Sequence, residues 1–203
     1  MKISEHVFKS KRHQTFYLAA GPEDGELIYL IHGWPDLSLG WIKQIEYLSE
    51  QGYRVIAPDM RGYGRSTIHK NHSDYCQKEI VKDMVELHKS LKQNKAIWIG
   101  HDWGSLVVWN LGLHHQNIVK GLGSLCVPFG WGGHPDSYLS HIDRELYPEK
   151  EYPYGQWDYM YYYYENFASA CSQMEEDPYK MIKLNFTKPV SYTHLTLPTN
   201  REV

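Results

Sequence analysis

A short glycine-flanked motif, Gly100-His101-Asp102-Trp103-Gly104, is the part of the sequence that most directly suggests chemistry. It ends the apolar run Ala96–Gly100 and opens an apolar helical pattern. Small residues two positions before and after a central residue permit a sharp strand-to-helix turn, which exposes the central side chain and points the next N–H toward it. A carboxylate there can displace a leaving group at an alkyl carbon and form an ester. We therefore predict that Asp102 is a nucleophile; the simpler interpretation is a helix N-cap.

A second motif, His32-Gly33-Trp34-Pro35-Asp36, follows the apolar run Leu27–Ile31. A turn after a neighbouring strand can bring a second backbone N–H to the nucleophile. We predict that the N–H groups of Trp34 and Trp103 converge near Asp102 as an oxyanion hole, in which one donor is worth roughly 2.7–4 kcal/mol in the transition state. Alone, this motif is compatible with an ordinary turn. Its order and spacing relative to the first motif favour the catalytic interpretation.

The elements that must position these motifs alternate between short apolar runs and helical patterns. Continuous hydrophobicity, without alternation, is typical of strands in a parallel sheet that helices cover on both faces. We predict an α/β fold with right-handed crossovers. The predicted strands are Leu27–Ile31, Tyr53–Ala57, Ala96–Gly100 and Leu122–Val127. The predicted helices cover Trp41 to Leu48, Ile80 to Leu91 (with a capping box of Asp74 and Gln77), Ser105 to His115, and Trp157 to Met174, followed by one that begins at Asp177-Pro178.

Composition narrows the class of protein. The chain has 203 residues, of which 42% are hydrophobic and 14% aromatic, and its net charge is −3. These values are typical of a globular domain and argue against a disordered chain or a nucleic-acid binder. No apolar run approaches the roughly 20 residues of a membrane span, and the charged segment Met1 to Phe16 is unlike a secretory signal. Three widely spaced cysteines (Cys76, Cys126 and Cys171) favour a cytoplasmic location, and no metal or cofactor is expected.

Three motifs in order, HGWPD, VIAPDMRGYGRS (Val55 to Ser66) and GHDWGS, resemble the epoxide hydrolases of the α/β-hydrolase superfamily. The resemblance covers about Phe16 to Lys188. It implies an α/β-hydrolase fold with a mostly parallel sheet, flanking helices and the beginning of a helical cap, or lid. It also implies a cis Trp34-Pro35 bond. It further implies that four residues near these motifs shape loops and take no part in chemistry: His32, Asp59, Arg61 and Gly62.

The tyrosine-rich segment acquires a role through the same resemblance. The chain has 17 tyrosines, and Trp157-Asp158-Tyr159-Met160 resembles the lid motif in which a tyrosine donates its O–H to the epoxide oxygen. That donor is Tyr159 by residue-for-residue match. The tyrosines from Tyr161 to Tyr164 are alternatives, and a role in packing alone is the simpler interpretation. The family's second lid tyrosine is expected to lie outside this chain.

The end of the chain departs from the family pattern. Hydrolysis of an aspartyl ester needs a base, normally a histidine oriented by a carboxylate, and both follow the nucleophile in this fold. The expected organisation is an N-terminal core at residues 1–127, a connecting loop with the first cap helices at 128–189, and a non-native tail at 190–203 that resembles a translated sequencing adapter. His194 lies in that tail and is not assigned as the base. The expectation is a C-terminal truncation that removes the last core strands and helix and leaves the fragment without turnover.

The leading hypothesis is an enzyme that opens a small apolar epoxide with water. A haloalkane or haloacid dehalogenase is an alternative, because it uses the same aspartate elbow. A non-catalytic ligand receptor on the same scaffold is an alternative of another class, since fold does not determine function. Asp102 argues against the receptor, because related receptors retain a serine at the elbow. The sequence specifies neither the substrate nor the oligomeric state.

Overall fold

The structure, a computed structural model, describes residues 2–130 and 135–186. The chain forms two compact units, Met1–Trp131 and Gly132–Val203. The first unit contains a six-stranded sheet with the order β1-β2-β4-β3-β5-β6. Its strands are β1 Ser4–Lys9, β2 Gln14–Ala20, β3 Leu27–Ile31, β4 Arg54–Pro58, β5 Ala96–His101 and β6 Val119–Leu125.

The four strands β4, β3, β5 and β6 are parallel neighbours, whereas β1 and β2 join the sheet antiparallel. The α/β class with a mostly parallel sheet is therefore confirmed. In the register of the two central strands, Ile31 of β3 pairs with Gly100 of β5. β3 ends at Ile31 and β5 ends one residue beyond Gly100, at His101. Because the two strands run in the same direction, the HGWPD loop and the elbow leave the same edge of the sheet. His101 is in turn paired with Leu125, at the end of β6.

Helices cover both faces of the sheet. They are α1 Ile42–Glu50, α2 Gln77–Ser90 and α3 Trp103–His114. Side chains of β3 alternate between two cores: Tyr29 and Ile31 pack with α2 and α3 on one face, whereas Ile28 and Leu30 pack with Ile45 of α1 on the other. All five residues of β3 are buried. This explains the continuous apolar run, since each face meets a helix.

Several boundaries differ from the sequence predictions. β6 begins at Val119, three residues before the predicted Leu122, because Lys120 and the glycines at 121 and 123 interrupt the apolar pattern. It ends at Leu125 because Cys126 adopts a positive φ of 80°. The predicted capping box of Asp74 and Gln77 is wrong.

The reciprocal side-chain bonds instead join Asn71 and Asp74 at the 3₁₀ helix His72–Tyr75. The strands β1 and β2 are missing from the prediction. Ser4–Lys9 has no strong apolar face, and its residues are exposed or half-buried. The run Gln14–Ala20 is buried from Thr15 onward but was not identified as a strand.

The described part of the second unit is helical. After the 3₁₀ helices Pro135–His141 and Gly155–Trp157 come α4 Asp158–Glu165, α5 Phe167–Glu176 and α6 Pro178–Phe186. The single helix predicted from Trp157 to Met174 is in fact two, because the chain breaks at Asn166, a residue whose side chain competes for backbone hydrogen bonds. The predicted start of the last helix is confirmed. Asp177 Oδ1 accepts the N–H of Lys180 at 2.9 Å, as an N-cap does.

A buried ion-pair cluster fixes the first unit around α2. Asp83 is 1% exposed. It accepts two hydrogen bonds from Arg61, at 2.7 and 2.8 Å, and one from Arg12 at 2.6 Å. Arg12 lies in the turn between β1 and β2, and Arg61 follows β4. The cluster therefore ties the antiparallel hairpin and the loop after β4 to one turn of α2.

We expect the Asp83→Ala variant to lower the free energy of unfolding by roughly 3–5 kcal/mol, because it leaves the buried guanidinium group of Arg61 without its carboxylate. Arg12 keeps its other two partners, Glu79 and Glu86. Urea denaturation followed by circular dichroism measures the loss. Glu5→Ala is the matched control: it breaks the Arg65–Glu5 pair, whose side chains are 52% and 61% exposed, and should leave the midpoint unchanged. Equal losses in the two variants would show that Asp83 is not a buried structural partner.

Candidate active site

Asp102 occupies the turn between β5 and α3 with φ 53° and ψ −124°. Such a conformation costs an L residue about 1–3 kcal/mol and persists only where its surroundings enforce it. A Cβ on Gly100 would overlap the carbonyl oxygen of Gly104, and a Cβ on Gly104 would overlap the carbonyl oxygen of Ile31. The glycines thus allow the strand, the helix and β3 to approach closely. The strand-to-helix elbow predicted from GHDWG is present.

The carboxylate of Asp102 lies against the HGWPD loop. Trp34 N–H donates to Asp102 Oδ1 at 2.8 Å. The loop approaches so closely that a Cβ on Gly33 would lie 2.6 Å from Trp103 N and 2.6 Å from Asp102 Cβ. Trp103 is the first residue of α3, so its N–H has no acceptor within the helix and lies at the positive end of the helix dipole. The two backbone N–H groups singled out in the sequence therefore lie beside the same carboxylate.

His32, the first residue of the HGWPD motif, fixes the loop through its buried ring. Its ring is 1% exposed, with Nδ1 2.8 Å from the carbonyl oxygen of Gly33 and Nε2 2.9 Å from Met60 N. Since Met60 N–H can only donate, Nε2 is the acceptor and Nδ1 carries the proton. Burial lowers the pKa of His32, although the nearby carboxylates of Asp59, Asp36 and Asp102 oppose that shift. Tyr63 packs edge-on against the ring at 5.0 Å. A neutral imidazole thus links the loop to the end of β4.

The neighbouring motif residues also contact backbone. Asp59 accepts the N–H of Ser38 and the N–H of Arg65, each at 3.0 Å. Gly62 has φ 86°, and the Trp34-Pro35 bond is cis. These observations agree with the expectation that this group of residues shapes the loops around the elbow.

Buried histidines predict an acid-sensitive fold. Burial lowers the pKa of His13 to about 4 and also lowers the pKa of His32. The unfolded chain binds protons near pH 6.5, where the folded chain does not, so stability is fully present above about pH 6.5 and falls as the pH drops toward 4. We expect the urea midpoint to be lower at about pH 5 than at about pH 7.5. His13→Gln should show a shallower dependence, and an identical slope in this variant would contradict the assignment.

Tyr159 lies in α4 of the second unit and is half-buried, with its ring edge-on to Tyr163 at 6.1 Å. Its role as a proton donor stays a prediction. Among the alternatives, Tyr161 is buried and stacks on Tyr154 with ring centroids 3.7 Å apart, an arrangement typical of packing. Burial raises the pKa of Tyr163.

Other features bear on the chemistry. Within residues 2–130 and 135–186, no group of three or more His, Cys, Asp or Glu side chains is arranged to hold a metal ion. In the same ranges, no helix is both long and apolar enough to cross a membrane. His194 and the rest of the predicted tail at 190–203 lie outside the described residues.

Three groups that shape the site were not predicted from the sequence: the bare Cα of Gly33, the Leu125 carbonyl and the Ser105 hydroxyl. Gly33 provides the space in which the loop meets Asp102. The carbonyl oxygen of Leu125 accepts Asp102 N–H at 3.2 Å, and it also lies 3.0 Å from the Ser105 hydroxyl. The small residues in HGWPD and GHDWGS were signals for close packing, but the Leu125 contact depends on sheet register and leaves no local trace.

A mostly parallel sheet flanked by helices carries an aspartate on a strained strand-to-helix turn, and the loop after the adjacent strand donates a backbone N–H to it. This arrangement is typical of the hydrolase class of α/β proteins. Residues 26–177 match the family model for the alpha/beta hydrolase fold, and the chain belongs to this family.

Its relatives within the family include epoxide hydrolases. The chain is 33% identical to "Epoxide hydrolase srdG" of Neurospora crassa over 67% of its length, covering 42% of that protein. It is 39% identical to "Epoxide hydrolase A" of Mycobacterium tuberculosis over 54% of its length, covering 34% of that protein. Epoxide hydrolase VrEH1 from Vigna radiata aligns structurally with a TM-score of 0.63 and 30% identity, over 71% of this chain and 48% of that one. The chain therefore spans between about a third and a half of the length of these relatives.

Proposed function

We propose that this chain carries the nucleophile of an epoxide hydrolase, which opens an epoxide to a diol through a covalent aspartyl ester. One observation carries the proposal: the elbow presents an aspartate whose Oδ1 already accepts the Trp34 N–H. An esterase would need a serine there, whereas a carboxylate attacks an alkyl carbon directly. The similarity to epoxide hydrolases supports the same chemistry.

The hydrogen bond distinguishes the two carboxylate oxygens of Asp102. Oδ1 is engaged by Trp34 N–H, so Oδ2 is the oxygen that attacks the epoxide carbon. As the new C–O bond forms, the epoxide C–O bond breaks, and its electron pair stays on the epoxide oxygen. We assign the proton that this oxygen takes up to the Tyr159 O–H. The product of this step is a hydroxyalkyl ester of Asp102.

In the second step, water attacks the ester carbonyl carbon of Asp102. Negative charge then develops on Oδ1, where the Trp34 and Trp103 N–H groups act as the oxyanion hole. The intermediate then collapses as its bond to the alkyl oxygen breaks, and that oxygen takes the proton that the base removed from water and leaves as the diol. The second proton of the water returns to the Tyr159 phenolate, and the Asp102 carboxylate is restored. Removal of the first proton from water requires a base, and we assign that role to none of the described histidines.

The substrate is a small apolar epoxide. Apolar side chains accompany the nucleophile in the first unit: Trp103 follows Asp102 and is 50% exposed, and Leu125, whose carbonyl binds Asp102 N–H, is 48% exposed. The second unit, with its tyrosine-rich α4, is the proposed beginning of a cap. The three free cysteines (Cys76, Cys126 and Cys171) support a reducing compartment, the cytosol.

The test is to trap the ester. The purified chain is mixed with styrene oxide, quenched rapidly in acid and digested, and mass spectrometry then searches the peptide that contains Asp102. We expect a mass increase of one styrene oxide on Asp102. A parallel sample with 1-chlorobutane examines the dehalogenase alternative. Alkylation by the chloroalkane alone would replace the proposal with a dehalogenase, and saturable binding of styrene oxide without an adduct would indicate a receptor.

The proton-donor assignment is tested separately with Tyr159→Phe. We expect at least a tenfold slower formation of the Asp102 ester, since the opening oxygen loses its donor, and an unchanged half-saturating concentration of styrene oxide. Tyr179→Phe, at a side chain 77% exposed, is the control and should match the wild type. A wild-type rate in Tyr159→Phe would move the role to another tyrosine of α4.

A further inference from the structure

Ser105 contacts the backbone of three residues at the elbow and at the end of β6. Its side chain is fully buried, with Oγ 3.1 Å from the carbonyl oxygen of Gly100 and 3.0 Å from that of Leu125. Its own N–H donates to the carbonyl oxygen of Asp102 at 2.9 Å. One residue therefore joins the end of β5, the nucleophile and the end of β6.

The carbonyl oxygen of Leu125 is contacted by both Asp102 and Ser105. It accepts the Asp102 N–H at 3.2 Å as well as approaching the Ser105 hydroxyl. The next part of the chain is anchored as well, because Trp109 Nε1 of α3 donates to the carbonyl oxygen of Val127 at 3.1 Å. The Leu125 peptide is therefore held from both sides, and it fixes the direction of the Asp102 N–H.

The need for such support follows from the backbone of Asp102. A residue at φ 53° and ψ −124° relaxes unless its peptide groups are held. The Trp34 N–H meets Oδ1 only while the Cα–Cβ bond of Asp102 keeps its direction. Loss of the Ser105 hydroxyl would leave the Asp102 N–H as the remaining donor to the Leu125 carbonyl, which could then tilt, and the carboxylate would turn with it.

We propose that Ser105 is a positioning residue for the nucleophile: its hydroxyl locks the end of β6 to the elbow and so aims the Asp102 carboxylate. Ser105 touches backbone and never the substrate, so its effect falls on the rate of ester formation and leaves substrate affinity unchanged. This inference rests on the proposed function, since it concerns the same attack of Asp102 on an epoxide.

The test compares ester formation on Asp102 in the wild type and in Ser105→Ala, at several concentrations of styrene oxide. We expect a maximum rate about tenfold lower in Ser105→Ala, with the same half-saturating concentration and full final occupancy of Asp102. Ser105→Cys, which keeps the size and a weak donor, should be intermediate. Ser49→Ala is the matched control: Ser49 is equally buried and donates to the carbonyl oxygen of Glu46 in α1, and its loss should not change the rate.

The outcomes separate the two proposals. Absence of an ester in the wild type would remove the proposed function itself. A wild-type ester with an unchanged rate in Ser105→Ala would overturn the positioning role alone. So would reduced final occupancy with an unchanged rate in the remaining fraction, because that pattern reports unfolding. If Ser105→Ala does not fold, Ser105→Cys decides, and a wild-type rate in that variant counts against the role.

Discussion

The Asp102→Asn variant is expected to form no covalent adduct with styrene oxide under conditions that label the wild type completely. The amide keeps the size of the side chain and an oxygen that can still accept the Trp34 N–H, but it lacks the anionic Oδ2 to which we assign the attack on the epoxide carbon. The loop and the elbow should therefore keep their structure while the chemistry stops. Acid quench, proteolysis and mass spectrometry of the peptide that spans the elbow measure the result.

Two comparisons make this prediction specific. Asp24→Asn replaces an exposed aspartate between β2 and β3 and should be labelled at the wild-type rate. The urea midpoint of Asp102→Asn should stay close to that of the wild type, because no buried contact is removed. Persistent labelling of the Asn variant at any carboxylate, at the wild-type rate, would show that Asp102 is not the nucleophile.

The second large effect is expected for Gly33→Ala. The added Cβ would overlap Asp102 Oδ1 and lie 2.6 Å from Trp103 N, so the HGWPD loop must withdraw from the elbow. Withdrawal removes the Trp34 N–H from the carboxylate, and loss of one such donor costs about 10²–10³ in rate for the step in which charge develops. That loss applies to hydrolysis of the ester. Ester formation should also slow by roughly 100-fold, because a reacting group displaced by about 1 Å can lose that much rate, and the free energy of unfolding should fall by about 1–3 kcal/mol.

Gly121→Ala is the matched control for Gly33→Ala. Gly121 lies in β6, and its added Cβ would meet only Ile97 Cγ1, at the ordinary contact distance of 3.9 Å. This variant should match the wild type in labelling rate and in urea midpoint. A Gly33→Ala protein that labels as fast as Gly121→Ala would show that the loop does not need this close approach.

Sequence patterns predicted the parts of the fold that local chemistry determines. β3 matches its predicted bounds because each of its five residues is apolar and buried. The turn at Asp102 was predicted from the two glycines that flank it, Gly100 and Gly104. In the structure, carbonyl oxygens occupy the positions that a Cβ on either glycine would need. The Trp34 N–H was predicted to face Asp102 from the order of the motifs, and the two lie 2.8 Å apart.

Contacts made through sheet register were not predictable. The Leu125 carbonyl reaches Asp102 because β6 pairs with β5 so that Leu125 lies opposite His101, and no residue of β6 signals that register. The same is true of Asp83, which appears in the sequence as one more polar residue of an amphipathic helix. Its two arginine partners come from distant loops, and only the folded chain shows that they meet.

The hydrogen bonds of Asp102 also determine when its geometry can be assembled during synthesis. Trp34 precedes it by 68 residues, and Leu125 follows it, so the elbow is incomplete until the end of β6 has been made. A nascent chain that has left the ribosome as far as Gly130 contains the Trp34 N–H and the Leu125 carbonyl, which bind Asp102, and the Ser105 hydroxyl, which lies 3.0 Å from that carbonyl. Asp102 can therefore be set in place co-translationally, before α4 and its tyrosines have emerged from the ribosome.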